Sequence, residues 1–212
     1  MCPNIYEAVY ALAEAIGENK EMLTDLDAAI GDADHGINMS RGFEAVREKL
    51  EQSGNEDTAA VLKKVGMTLI STVGGASGPL YGTAFLRAAA VVQGNEAITR
   101  EKAFEMLSSA VRGIKDRGKA QKGDKTMLDA LEPALEAISA GIREDKCLLD
   151  CLEAACKAAK EGVTYTGTIK AMKGRASYLG DRSIGHNDPG ATSSYILIRA
   201  LTDYYRASAP EV

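Results

Sequence analysis

The sequence predicts an all-helical (all-α) fold, and three observations support this prediction. Apolar residues recur at steps of three and four along almost the whole chain, which is the period of an amphipathic helix. Aromatic residues make up only 5% of the 212 residues and Trp is absent, whereas Ala and Leu are abundant. No stretch shows clear strand alternation, and no linker divides the chain. We therefore expect residues 1–212 to form a single domain, an antiparallel barrel or bundle of about eight helices.

The helical segments follow one another with short breaks. Glycine ends the first, second and fourth apolar runs, while Pro79 suits the first turn of a helix and Thr99 suits an N-cap. Pro133 is expected to kink the seventh segment or to move its start. The stretch 163–169 is the one candidate for a strand. The predicted segments are 5–16, 22–30, 39–50, 61–73, 79–92, 99–114, 126–142, 148–159 and 191–205.

Glycine is concentrated in four loops, which alternate with long helices. These loops are 31–36, 74–82, 118–123 and 174–190. In an up-and-down bundle, loops that are separated by an even number of helices meet at the same end. Because these loops are also polar, we expect them to form a site at one end of the bundle.

The charge and hydropathy of the chain exclude two classes of partner. The net charge is −5 and no basic stripe is present, which argues against a nucleic-acid partner. No apolar run is long enough to span a bilayer, and the N-terminus lacks a signal pattern. We expect no membrane association and a cytoplasmic location.

The cysteines and methionines are expected to be structural. No second Cys or His cluster is present to complete a zinc site, so reduced, buried thiols are predicted for Cys2, Cys147, Cys151 and Cys156. Core packing is predicted for Met22, Met39, Met67, Met106, Met127 and Met172. Contact with a nucleotide base is a second possibility for Met127.

Three carboxylates in the first glycine loop indicate a metal site. Asp27, Asp32 and Asp34 lie within eight residues, with no basic residue among them. Crowded carboxylates repel one another unless a cation neutralises them, and hard oxygen ligands suit Mg²⁺ or Ca²⁺. Gly31 is expected to let the chain reverse so that the three side chains face each other. The alternative for Asp34 is that its side chain caps the helix that begins near Gly36.

The second glycine loop has the pattern of an anion site. A glycine-rich turn that opens a helix points its amide groups at a bound anion, and Ser77 adds a hydroxyl donor. The alternative is that these small residues only let helices pack closely.

The third and fourth loops add capping residues and cationic side chains. Asp124 is expected to cap a helix, and Asp188 followed by Pro189 has the pattern of an N-cap and a first helical turn. The fourth loop also contains Arg175 and Arg182, and Arg suits bidentate contact with phosphate. A loop of this length without regular structure is typical of a functional segment.

Taken together, four ordered motifs resemble a known family. The motifs are Asp27-x4-Asp32-x-Asp34-His35-Gly36, Gly74-Gly75-Ala76-Ser77-Gly78-Pro79-Leu80-Tyr81-Gly82, Gly123-Asp124-Lys125-Thr126-Met127-Leu128-Asp129, and the segment from Gly174-Arg175 to Asp188-Pro189-Gly190. They are similar, over essentially the whole chain, to the nucleotide-binding L subunits of bacterial dihydroxyacetone kinases.

The resemblance implies an eight-helix antiparallel barrel with ADP or ATP at its rim. It implies that two Mg²⁺ ions, bound by Asp27, Asp32 and Asp34, hold the diphosphate. It further implies that the nucleotide is contacted by His35, Gly36, Ile37, Asn38, Ala76, Ser77, Gly118, Met127, Arg175, Asp188, Pro189 and Gly190.

The resemblance also implies a phosphotransferase that works with other chains. In such systems ADP stays bound, is rephosphorylated by a phosphohistidine M subunit supplied by phosphoenolpyruvate and the phosphotransferase system, and donates to dihydroxyacetone on a K subunit. One alternative is an ATP-dependent L-type domain for a four-carbon ketose or a fatty acid. Others are a nucleotide-loaded partner of a transcriptional regulator and a helical scaffold whose Asp and Gly residues only form caps and turns.

Overall fold

The computed structural model describes residues 4–92 and 98–208, which contain nine α-helices, one 3₁₀ helix and no strand. The 3₁₀ helix, Arg175–Ser183, is kinked at Gly180, where φ is 58°. The α-helices are α1 (Ile5–Glu18), α2 (Lys20–Ile30), α3 (His35–Glu51), α4 (Thr58–Thr72), α5 (Ser77–Ala89), α6 (Arg100–Gly118), α7 (Leu128–Arg143), α8 (Leu148–Thr166) and α9 (Pro189–Ser208). The prediction of an all-helical fold is confirmed.

Eight of these helices form a closed ring. From α3 to α9 each helix packs on the next one in the chain, while α1 packs on both α3 and α9 and so closes the ring. Helix α2 lies beside the ring against α3 and α9. The ring is the barrel of about eight helices that the sequence predicts.

The two ends of the ring are built from alternate loops. At one end, the Tyr6 hydroxyl donates a hydrogen bond to the carbonyl of Gly54 at 2.5 Å, and Arg100 donates to the carbonyl of Lys146 at 2.6 Å. These bonds join helix starts to the loops that follow α3 and α7. At the other end, the glycine-rich loops before α3, α5, α7 and α9 surround one cavity. The alternation explains why motifs so distant in sequence share one end.

The interior has a large-residue core and a small-residue core. Phe43, Ile16, Leu69 and Leu128, which lie on different helices, are fully buried in the centre of the ring. A second cluster joins α7, α8 and α9 and consists mainly of alanines. There α8 approaches α7 so closely that a Cβ on Gly162 would lie 2.0 Å from a backbone oxygen of α7. The Ala-rich, Trp-free composition therefore serves close helix packing.

The candidate strand 163–169 is wrong, because α8 continues to Thr166. Ala155, Ala159 and Val163 are buried at successive four-residue steps on one face of α8, so packing against α7 overrides the β propensity of Val163. Pro133 lies inside α7 and does not move its start beyond Leu128.

Several sulfur-containing side chains are less buried than predicted. The prediction of core packing is confirmed for Met39 and Met127, which are buried. It is wrong for Met22, Met67 and Met172, which are 40%, 57% and 59% exposed. These three side chains lie on helix or loop faces that no neighbouring helix covers.

The cysteine prediction is correct only in part. Cys151 is buried and Cys156 is half-buried, whereas Cys147 is exposed and its sulfur accepts a hydrogen bond from the Asp150 amide at the start of α8. Cys2 lies outside the described residues. Among the described helices, none combines the length and apolar character that a membrane span requires.

Candidate functional site

The three aspartates of the first loop lie together. Asp27 is in the last turn of α2, and Asp32 and Asp34 lie in the loop that follows. One carboxylate oxygen from each lies within 4.8 Å of the others. The chain reverses at Ala33, where φ is 59°, and not at Gly31, where φ is −140°. Gly31 is needed for a different reason, because a Cβ there would lie 2.1 Å from Asp27 Oδ1.

Asp27 also fixes the start of α3. Its Oδ2 accepts hydrogen bonds from the backbone amides of Asp34 at 2.9 Å and His35 at 3.1 Å. The Asp34 side chain makes no capping hydrogen bond, so the capping alternative for Asp34 is wrong. Because Asp27 satisfies these amides, the Asp34 carboxylate is not committed to the helix terminus.

Arg175 is the cationic partner of this acidic cluster. Its guanidinium lies 2.9 Å from Asp32 Oδ2, and its side chain is 68% exposed. The sequence predicts that Arg175 contacts a phosphate. In the structure it reaches the acidic cluster from the 3₁₀ helix and lies on the cavity lining.

The second glycine loop opens α5 beside the start of α3. Gly75 has a φ of 65°, and no side chain caps the α5 N-terminus. The Ser77 hydroxyl hydrogen-bonds His35 Nδ1 at 3.1 Å. A Cβ on Gly74 would lie 3.0 Å from the Asn38 side chain. The small residues of this turn therefore allow close packing against α3, and the uncapped start of α5 also keeps the pattern of an anion site.

A buried polar chain continues from His35 toward α9. His35 Nε2 pairs with the Ser193 hydroxyl at 2.9 Å, and Ser193 pairs with the Tyr81 hydroxyl at 2.7 Å. Tyr81 in turn donates to the carbonyl of Gly190 at 3.1 Å. Burial lowers the pKa of His35, although the charges of Asp27 and Asp34 oppose this shift. The His35 ring bridges the Ser77 and Ser193 hydroxyls.

Sequence reasoning does not assign Tyr81 or Ser193 to the site. The one available signal for Ser193 is the run Thr192-Ser193-Ser194, which places three hydroxyl side chains on a helix interior. All three are buried. Buried hydroxyl groups require partners, so such a run indicates a polar network.

The third loop is organised by Asp129 and not by Asp124. The Asp129 carboxylate accepts hydrogen bonds from the amides of Gly123 at 2.6 Å and Thr126 at 2.8 Å. The Asp124 carboxylate accepts from the Gln121 amide at 2.9 Å. The expectation that Asp124 caps α7 is therefore wrong. The loop folds back before α7, so the side chain that reaches the loop amides is that of Asp129, in the first turn of the helix.

Lys125, in the same loop, is almost completely buried. Lys125 lines the cavity, and its ammonium group donates to the backbone carbonyls of Thr166, at the end of α8, and His186, in the segment before α9. A buried lysine cannot be recognised from sequence spacing, since lysine is usually exposed.

Asp188 caps α9, as predicted. Its Oδ2 accepts a hydrogen bond from the Ala191 amide at 2.7 Å. Burial raises its pKa to about 7, the Ala191 hydrogen bond and Lys125 oppose this, and the Asp129 charge adds to it. Asp188 therefore changes its charge near neutral pH.

The four loops enclose a cavity of about 470 Å³. Its lining includes the apolar side chains of Leu80, Ile114 and Leu128 as well as the acidic cluster. The predicted residues that line the cavity are Asp27, Asp32, Asp34, His35, Asn38, Ala76, Ser77, Gly118, Met127, Arg175, Asp188, Pro189 and Gly190. The wall residues that sequence reasoning misses include Ile30, Arg117, Ala120 and Lys173.

Two predicted residues are not on the cavity wall. Gly36 packs α3 on α2, since a Cβ there would lie 2.1 Å from the Lys20 carbonyl oxygen. Ile37 is 45% exposed on the outer side of α3. Their backbone amides lie in the first turn of α3.

Comparison with known proteins places this cavity in a family. Residues 29–203 match the DAK2 domain. The chain belongs to the DAK2 domain family. It is 49% identical over 181 residues to the ADP-binding subunit DhaL of the PEP-dependent dihydroxyacetone kinase of Escherichia coli K12, covering 85% of this chain and 86% of that protein. It is 44% identical over 190 residues to the ADP-binding subunit DhaL of the PTS-dependent enzyme of Lactococcus lactis IL1403, covering 90% and 91%.

More distant members contain this domain as one part. An L-erythrulose 1-kinase of Mycolicibacterium smegmatis is 31% identical over 95% of this chain, which spans 35% of that protein. The crystal structure of the dihydroxyacetone kinase of C. freundii superposes with a TM-score of 0.72 at 25% identity, covering 94% of this chain and 34% of that one. The DAK2 fold therefore occurs both as a separate chain and within longer kinases.

Proposed function

We propose that this chain is the nucleotide-binding subunit of a phosphoenolpyruvate-dependent dihydroxyacetone kinase. The observation that carries this proposal is the cavity itself. It brings together three clustered carboxylates, a helix N-terminus without a side-chain cap, and apolar side chains, which are the groups that a metal-bound nucleotide needs. The relatives that match this chain over most of their own length carry the same proposed role in their names.

Magnesium fits the acidic cluster. Asp27, Asp32 and Asp34 offer only hard oxygen ligands, and their convergence within 4.8 Å favours a bound cation. We propose that they hold Mg²⁺, with two ions to neutralise a diphosphate. Asp27 has a double role, since it also anchors the amides that begin α3.

The remaining walls suit ADP or ATP. We propose that His35, Asn38, Ala76 and Ser77 hold the phosphates, with amides of Gly36 and Ile37 contributing from the α3 N-terminus. Arg175 would exchange its ion pair with Asp32 for a phosphate. The base would lie toward Gly118 and Met127, and Asp188, Pro189 and Gly190 would close the site at the start of α9.

The chain's contribution to catalysis is positioning and charge neutralisation, which dominate phosphoryl transfer. When bound, the nucleotide would accept a phosphoryl group from the phosphohistidine of an M subunit and donate it to a hydroxyl of dihydroxyacetone on a K subunit. Each transfer breaks one bond to phosphorus and forms another. We propose that both partners approach the open end of the ring, in the cytoplasm.

Reconstitution tests this proposal. The purified chain, mixed with K and M subunits of a related system, should support phosphoenolpyruvate-dependent phosphorylation of dihydroxyacetone without added ATP. Requirement for free ATP, or phosphorylation of a four-carbon ketose in preference to dihydroxyacetone, would contradict it.

A further inference from the structure

Lys125 is a charged residue that the proposed chemistry does not use. Its side chain is only 1% exposed, and its backbone has a φ of 59°. The ammonium group lies within hydrogen-bond distance of four backbone carbonyls, at 2.7 Å, 3.3 Å, 2.7 Å and 2.5 Å. An ammonium group has three N–H donors, so these four acceptors use its full capacity.

The four carbonyls belong to the ends of one segment. Thr166 is the last residue of α8 and Ile169 lies three residues after it, whereas Ser183 ends the 3₁₀ helix and His186 lies between that helix and α9. The carboxyl end of a helix has unpaired carbonyls and a partial negative charge, which a cation stabilises. Lys125 therefore caps α8, and its ammonium group binds carbonyls near both ends of the segment 167–188.

Other polar contacts also hold this segment, namely the hydrogen bond from the Ala171 amide to the Ser183 hydroxyl at 2.9 Å and the exposed ion pairs Lys170–Asp181 and Arg175–Asp32. Apart from the 3₁₀ helix it lacks regular structure, and its buried apolar contacts are mainly those of Ala171 and Ala176 with Ile30. Backbone hydrogen bonds from Met172 to Asp124 at 3.0 Å and from Gly185 to Gly167 at 2.8 Å complete the arrangement around the ammonium.

The segment and its attachment point both border the cavity. It carries Arg175 on the cavity rim and ends at Asp188, while Met127 lies two residues after Lys125. The ammonium thus connects the wall that contains Met127 to the wall that contains Arg175 and Asp188. Lys125 itself lines the cavity, but the N–H groups of its ammonium are occupied by backbone carbonyls.

We propose that Lys125 is a positioning residue, an internal cation that holds the segment 167–188 against the cavity and thereby slows release of the bound nucleotide. The proposal rests on the proposed nucleotide site. It predicts that Lys125 acts through the segment. The segment touches the acidic cluster through the Arg175–Asp32 ion pair, but this pair is exposed and contributes little, so the three carboxylates, which come from α2 and the loop before α3, should keep their metal affinity.

The test is Lys125→Gly, with Lys119→Gly as the matched control. Glycine accepts the positive φ at both positions, and Lys119, with a φ of 49°, is exposed. The measurements are release of a fluorescent ADP analogue with Mg²⁺, binding of Mn²⁺ alone, and hydrogen exchange of residues 167–188 without nucleotide.

We expect Lys125→Gly to release the analogue at least about tenfold faster, a loss of about 1.4 kcal/mol. Amides of 167–188 should exchange faster, while Mn²⁺ affinity stays at the wild-type value. n-Butylammonium, which has the atoms that Lys125→Gly removes beyond Cα, should restore slow release, and n-butanol should not. Lys119→Gly should match wild type in all three measurements.

Unchanged analogue release and unchanged exchange in Lys125→Gly would overturn the proposal. So would global unfolding with Mn²⁺ binding lost and no recovery in n-butylammonium, since Lys125 would then serve overall stability only. If wild type itself does not bind the analogue, the proposed function fails. Hydrogen exchange then still decides whether Lys125 positions the segment.

Discussion

Replacing Asp188 with Asn should make the nucleotide-free protein more stable above neutral pH. The Asp188 carboxylate caps α9 through the Ala191 amide, and Asn accepts the same hydrogen bond. Burial raises the pKa of Asp188 from its ordinary 3.8 to about 7. The folded state therefore binds this proton more tightly than the unfolded chain does. Folding stability from this group is fully present below about pH 4 and is lost as the pH rises to about 7.

The size of the effect follows from this pKa. The gap between 3.8 and about 7 is roughly three pH units. At about 1.4 kcal/mol for each pH unit, the upper limit is about 4 kcal/mol. Because Asp188 retains some solvent contact, screening reduces this value, and we expect about 2 kcal/mol. The direction of the stability difference is fixed, because the Asn side chain has no proton that titrates and so loses no stability as the pH rises.

Urea unfolding at about pH 5 and pH 8 measures the effect, because titrating groups that do not interact with Asp188 are shared by the two proteins and cancel in the difference. The free energy of unfolding of Asp188→Asn should exceed that of wild type by more at pH 8 than at pH 5. An equal difference at both pH values, or a wild type that is more stable than the variant at pH 8, would refute the reasoning.

Two further substitutions test other parts of the site. Tyr81→Phe removes the hydroxyl that Ser193 pairs with in the buried polar chain, so urea unfolding should show a loss of about 1–3 kcal/mol; no loss would show that the chain adds no stability. Gly31→Ala would place a Cβ 2.1 Å from Asp27 Oδ1 and should lower Mn²⁺ affinity, measured by electron paramagnetic resonance, at unchanged helical circular dichroism. Gly17→Ala, where a Cβ would meet nothing within 4 Å, is the control, and equal Mn²⁺ affinity in both variants would contradict the role of Gly31.

Periodicity predicts most of this fold because the helices pack through regularly spaced apolar side chains. Residues such as Phe43 and Leu69 recur at helical spacing and form the central core. Val163 shows the limit of propensity, since its burial against α7 decides its conformation. Exposed Met67 shows a second limit, because spacing cannot reveal which helix faces lack a neighbour.

The site could be predicted from the sequence where several functional side chains lie within one short stretch. Asp27, Asp32 and Asp34 are close in sequence, so their mutual repulsion follows from their spacing alone. Lys125 could not be predicted in this way, because its four partners are backbone carbonyls 41 to 61 residues away. The partnership of Tyr81 with Ser193 is similarly remote, at 112 residues.

Nucleotide retention by Asp32→Ala tests the central claim most directly. Asp32 contributes one of the three carboxylates and lies in the loop after α2, so its loss should remove the metal without disturbing a helix. Native mass spectrometry of freshly purified wild type should show ADP or ATP with magnesium, and the variant should show neither at unchanged helical content. A wild type without nucleotide, or a variant that retains nucleotide as wild type does, would contradict the account.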